Sequence, residues 1–245
     1  MSDTNGTSPL RRPGFIAAAV VVGIIILLGV GLAVSNLWSG RVEPPAPPST
    51  PPVVASPSTT ATTASPLASI CGLAGYEPTG TVSKAPEATW TLVGTTAAPK
   101  NGSAGPGLVD DDGYRRCYAH TPTGAVFASA NYVAMGSVRT IQPKVAENSI
   151  VPGPGRDKLL AQPVPSSSGG GVRIQVAGFR VLSYTGTAAT VDIAMRTSNG
   201  ALAGQVFELQ WDGGDWKLRV TTEGDMLSRL VQLRDLAGYI PWAGA

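Results

Sequence analysis

Few side chains in this 245-residue chain could do acid, base or nucleophilic chemistry. The single histidine, His120, precedes Thr121 and Pro122, a pair suited to a helix N-cap and first turn. A capping or strand-end role fits His120 better than general acid–base work, which needs a titratable group poised in a pocket. Asp192 falls on the strand face opposite Val191 and Ile193, looking into a cavity or into solvent, and solvent is the expectation. Ser166-Ser-Ser168 lies in a Gly-rich stretch with no GxSxG elbow, and the one histidine would have to serve it. Gly153-Pro-Gly155 lacks the Lys-Ser/Thr of a phosphate loop. Asp110-Asp-Asp-Gly113 lacks the alternating carboxylates and distal Glu of a calcium loop and reads as a solvated turn. Trp211 and Trp216 flank a turn and could stack a sugar or a partner chain, although such a pair ordinarily packs a sheet against a helix. One His and two Cys are too few for most zinc sites, which take about four N or S ligands. The expectation is therefore a protein without catalytic residues, metal or cofactor.

The elements that carry these residues come in sharply different compositions. Eighteen basic against 16 acidic side chains leave a net charge of +2, which disfavours nucleic-acid binding. Charged residues are 14%, against roughly 25% in an average soluble domain. The deficit is local. Residues 13–40 carry no charge, and residues 15–34 are almost wholly apolar. About 20 such residues cross a bilayer, and in lipid they must be helical to satisfy their own amides. A cleavable signal peptide has a shorter apolar core, about 7–15 residues, so an uncleaved anchor is expected. Arg11 and Arg12 precede the span, which keeps the amino end in the cytoplasm and exports the rest. The expected division is a cytoplasmic tail over 1–13, a transmembrane helix over 14–37, a disordered linker over 38–66 and an extracytoplasmic domain over 67–245. Residues 43–66 are nearly all Pro, Ser, Thr, Ala and Val, too poor in apolar bulk to offset ordering entropy. Extended at about 3.1 Å per residue, such a tether reaches roughly 70 Å.

The exported part holds 15 basic and 14 acidic side chains and both cysteines. Outside the cytoplasm the pair Cys71 and Cys117 is expected to form a disulfide; two buried free thiols are the alternative. Short strands are predicted over 88–93 and 114–120, and helices over 121–135 and 156–162. From Val172 onward, apolar residues alternate through Ile174 and Val176 and change phase at Ala177-Gly178, as a β-bulge would make them. Alternation resumes over 189–195, 207–211 and 216–220, with turn signals at Asn199-Gly200 and Asp212-Gly-Gly-Asp215. Met226, Leu227, Leu230 and Val231 predict a terminal helix over 225–236. The fold class is α+β: a curved antiparallel meander packed on helices.

Helices followed by a bulged meander that closes on Gln210-Trp-Asp-Gly-Gly-Asp-Trp-Lys-Leu218 resemble the nuclear transport factor 2-like, or cystatin-like, cone fold, over about residues 114–222. An anchor, a Pro/Ser/Thr stalk and a cone-like exported domain together resemble the bitopic channel subunits of type IV secretion and conjugative systems. The stretch His120-Thr-Pro-Thr-Gly-Ala-Val-Phe-Ala-Ser-Ala-Asn131 and the ending Tyr239-Ile-Pro-Trp-Ala-Gly-Ala245 look like membrane proteins of actinobacterial mobile elements. The resemblance implies a non-enzymatic assembly scaffold at the cell membrane. Its partners would be other envelope proteins or further copies of itself, and not nucleic acid. It supplies no catalytic residue to carry over, and this chain has room for one cone where Gram-positive relatives have two. An exported ligand-binding or enzymatic cone and a cell-wall-binding protein are the alternatives.

Overall fold

One helix, α1 (Pro122–Gly136), organises the molecule. Thr121 caps it in extended conformation, its hydroxyl accepting the Gly124 N–H at 3.0 Å, and Pro122 occupies the first turn. Ala125, Val126, Phe127, Ala128, Ala130, Ala134 and Met135 are fully buried, so the helix is apolar around its whole circumference. That is the pattern of a core helix. Its buried polar groups are bonded: Ser129 to the Ala125 carbonyl, and Asn131 Nδ2 to the Phe127 and Pro99 carbonyls at 2.8 and 3.0 Å.

The computed structural model describes residues 67–163 and 173–244. The expected span 14–37, the linker 38–66 and Ser166-Ser-Ser168 lie outside them. Among the described residues no helix is long and apolar enough to cross a membrane.

Ahead of α1 come two antiparallel hairpins, β1 (Thr89–Val93) with β2 (Thr96–Lys100), and β3 (Leu108–Val109) with β4 (Arg115–Arg116). The sequence predicts β1 but not β2, whose Ala97, Ala98 and Pro99 carry little strand propensity; pairing with β1 and packing on α1 override it. The strand expected over 114–120 is confined to two residues. Cys117 takes a positive φ of 67°, which ends it. After α1 follow α2 (Gln142–Asn148), which the sequence reading did not foresee, and α3 (Pro154–Ala161), which it did.

The main sheet is an antiparallel meander of β5 (Ile174–Thr185), β6 (Ala188–Thr197), β7 (Leu202–Asp212) and β8 (Asp215–Leu218). Its β5–β6 register shifts between Val176 and Gly178, where the phase change predicts a bulge, and again between Val181 and Ser183. Phe179, Val191, Ile193, Phe207, Leu209 and Trp216 form the core with α1. The fold is thus α+β, a mostly antiparallel sheet against few helices, as expected.

The chain's last part corrects the sequence reading. Residues 225–236 form no helix. They make turns and a short strand, β9 (Val231–Leu233), antiparallel to Leu202–Gly204 of β7. The open edge of β7 beyond β8 offers ladder partners that outweigh a weak helical periodicity, and Leu227 and Val231 stay exposed. The chain then crosses the sheet's outer face. It pairs β10 (Ile240–Pro241) with Gly178 and Phe179 on the opposite edge. Trp242 turns inward beyond that edge, edge-to-face with Trp90, Phe127 and Phe179 at 4.9–5.4 Å. Its indole N–H donates to the Pro86 carbonyl at 3.0 Å.

Candidate functional site

Two polar clasps hold the chain's first and last described segments. The first surrounds His120, which is buried immediately before the α1 cap. Its Nδ1 faces the Leu67 carbonyl at 3.0 Å and its Nε2 faces the Gly186 carbonyl. Both partners are backbone carbonyls, so each ring nitrogen faces an acceptor. The ring stacks on Trp211, centroids 3.7 Å apart and planes 8° from parallel, and meets Tyr76 and Trp216 edge-on. The tryptophan pair thus packs on this histidine and on each other across the β7–β8 hairpin.

Asp215, in the turn between those tryptophans, completes the clasp. Its carboxylate accepts the backbone N–H of Cys117 at 2.7 Å and those of Tyr118 and Trp216 at 2.9 Å. These bonds hold Cys117 in its left-handed conformation, where it joins Cys71 in a disulfide. Burial raises the Asp215 pKa to about 6; the amides and Lys217 pull the other way without cancelling it. Ile70 N–H donates to the Gly214 carbonyl at 2.9 Å in the same turn. Sequence reading predicts the disulfide but misses Asp215, taken there only as part of a turn. Its signal, had it been used, was a carboxylate flanked by two tryptophans.

The second clasp lies on the sheet's outer face. Asp192, expected in solvent, is 3% exposed. The crossing segment covers it: Tyr239 Oη donates to Asp192 Oδ2 at 2.8 Å, and Arg180 Nε and Nη2 donate to the same oxygen at 3.0 and 2.8 Å. The Arg180 guanidinium also sits 4.6 Å from the Tyr239 ring centre. Tyr239 has room because Gly178, Ala194 and Gly204 stand side by side across β5, β6 and β7. A Cβ at Gly204 would lie 2.9 Å from the Tyr239 hydroxyl, and one at Gly178 2.9 Å from the Ile240 carbonyl. Burial first, then the Asp192 bond, pushes the Tyr239 phenol up to about 12.

The remaining candidates fall elsewhere. Asp110 and Asp112 of the acidic turn bind Lys144, and Asp110 also binds Arg116, which holds its carboxyl below the usual range. Gly153-Pro-Gly155 opens α3 against the Thr221 backbone. An open depression around Glu87, Thr89 and Lys100, and another around Pro154, Arg156 and Thr221, include none of His120, Asp192 and Asp215. The structure therefore does not bring His120 and Asp192 together, and gives each a separate holding role.

No curated protein and no solved structure matches the chain. A family model described as a domain of unknown function, DUF8175, matches residues 50–241. That match spans most of the sequence, and the chain belongs to the DUF8175 family.

Proposed function

We propose that this chain is a membrane-tethered, exported scaffold that works by protein contact and has no catalytic activity. The observation that carries the reading is the use made of its polar interior. His120, Asp192 and Asp215 are each committed to backbone carbonyls, to an arginine or to backbone amides, and so fasten chain segments. The disulfide between Cys71 and Cys117 supports an oxidising location. The apolar run at residues 15–34 supports a membrane anchor, with the amino end inside the cell.

The twice-bulged meander packed on α1 supports the nuclear transport factor 2-like comparison. With the anchor and stalk, it favours an assembly component of a conjugative or type IV secretion-like channel. An exported ligand-binding or enzymatic cone is less well supported, because Phe127, Val126 and Met135 of α1 fill the space under the sheet. β1 is the surface suited to partners: among the described residues it pairs with β2 alone, and its Leu92 is 72% exposed.

A photo-crosslinking residue at position 92 tests the proposal in intact cells. Adducts with envelope proteins or with a second copy are expected. Strictly monomeric protein after crosslinking would remove the scaffold reading. Protease added outside should trim the domain, while a tag at the amino end survives.

A further inference from the structure

The β1–β2 hairpin treats its two outer edges differently. On β2, the Ala97 N–H donates to Gln175 Oε1 at 2.8 Å, and the Pro99 carbonyl accepts from Asn131 Nδ2 at 3.0 Å. These groups point away from β1. In an antiparallel ladder the residues directly opposite them point away as well. Leu92 lies opposite Ala97, and Trp90 opposite Pro99. The N–H and C=O of Trp90 and Leu92 therefore line the outer edge of β1. Among the described residues nothing bonds to them there.

An open edge is ordinarily guarded by a charge or a proline. β1 reads Thr-Trp-Thr-Leu-Val and has neither. Its pattern also matches itself. Set β1 antiparallel to β1 of a second copy, with the two-fold axis at Thr91. Trp90 then faces Leu92 of the second copy, and Leu92 faces its Trp90. Each such pair exchanges both N–H···O bonds, so every open group on the edge finds a partner. Thr91 meets its own mate in the closer, non-hydrogen-bonded pairing, and Thr–Thr pairs across strands are favourable. The Trp90 and Leu92 side chains share one face of the strand, where they cover each other. Further out, Glu87 falls opposite Thr95, so like charges do not meet.

We infer that β1 is a self-pairing edge, through which two copies of this chain join their hairpins into one continuous antiparallel sheet. The interface is isologous, each copy offering the same strand. This names a second copy as the partner of the β1 surface, and it rests on the scaffold reading above. A strand of five residues makes a small, reversible contact. Tethering both copies in one membrane raises their effective concentration and favours it.

The test places single cysteines in the full-length chain in its membrane and oxidises them with copper phenanthroline. Across the two-fold axis the Thr91 Cα atoms lie about 4.5 Å apart, within disulfide range. Those of Leu92 lie about 9 Å apart and those of Thr89 about 14 Å, beyond it. On a non-reducing gel Thr91→Cys should give about tenfold more covalent dimer than Leu92→Cys or Thr89→Cys, although all of these positions are exposed. Adding Leu92→Lys puts a charge on the edge and should remove the dimer. It should leave the thermal midpoint in place, because Leu92 is a surface residue. Should Thr91→Cys fail to fold, a photo-crosslinking residue at position 92 decides alone: its adduct should map to Trp90 of a second copy. Equal yields at the three positions, no dimer from a folded Thr91→Cys, or a dimer that survives Leu92→Lys would each overturn the pairing. Crosslinks from position 92 to other envelope proteins, with no Thr91→Cys dimer, would sink self-pairing alone and leave the scaffold reading standing.

Discussion

The Tyr239 hydroxyl donates to Asp192 Oδ2 at 2.8 Å, across 47 positions of sequence. It fixes the crossing segment to the middle of the sheet. Tyr239→Phe should cost about 1–2 kcal/mol in urea unfolding, since a charged acceptor loses one of its donors underground. Gly204→Ala should cost as much or more, because the new methyl meets that hydroxyl at 2.9 Å. The two changes strike one contact, so their double variant should fall short of the sum. Full additivity would show that the glycine row and the tyrosine act separately.

Asp215 gives stability a pH dependence with a definite sign. Its folded pKa is raised, from 3.8 to about 6, so the folded state holds the proton more tightly than the unfolded chain. The contribution is present below pH 4 and is lost as pH rises through about 6. Tyr114, Tyr118 and Tyr132 face the carboxylate and keep their protons in that window, their pKa values being raised by burial; Lys217 faces it as well. A rise from 3.8 to about 6 corresponds to ~3 kcal/mol at most. Unfolding free energies measured from pH 4 to 7 should therefore fall more steeply in the parent than in Asp215→Asn. Parallel curves would contradict this.

The disulfide closes a loop across 46 positions. Its loss through Cys71→Ser with Cys117→Ser should destabilise the domain by about 4 kcal/mol in the chain-entropy account. Without reductant, an alkylating reagent should label no thiol in the folded or the urea-unfolded protein.

His120 holds two carbonyls and a tryptophan face. His120→Phe keeps a ring to stack on Trp211 but takes the ring nitrogens away from the Leu67 and Gly186 carbonyls. A loss of about 1–3 kcal/mol is expected. Amide exchange should quicken first over residues 67–73, where the leading segment is released. Unchanged exchange there would show that the disulfide alone secures the segment.

Trp242 fills the gap between α1 and the β5 edge. Trp242→Ala should cost about 3–5 kcal/mol, since it leaves a cavity beside Phe127 and Phe179. A thermal melt of the purified chain would register it as a large fall in midpoint.

Features that depend on near neighbours along the chain were legible without the fold. Thr121 and Pro122 start α1 through local hydrogen bonding and a fixed φ. Alternation draws β5 to β8, and the phase change at Ala177-Gly178 marks the bulge, because side-chain direction in a strand follows a period of two. The cysteine pairing needed only the count and the expected compartment. Tertiary structure decided the rest. Residues 225–236 have a helix-like spacing, yet the unpaired edge of β7 takes them as β9, a choice that no local window contains. Asp192 looks solvent-facing from its strand, but a tyrosine 47 positions away covers it. Asp215 reads as a turn residue until three amides, two of them from the far side of the domain, converge on its carboxylate. Periodicity reports which face a side chain takes. What lies over that face is fixed only when distant segments pack, as they do over Asp192 and around Asp215.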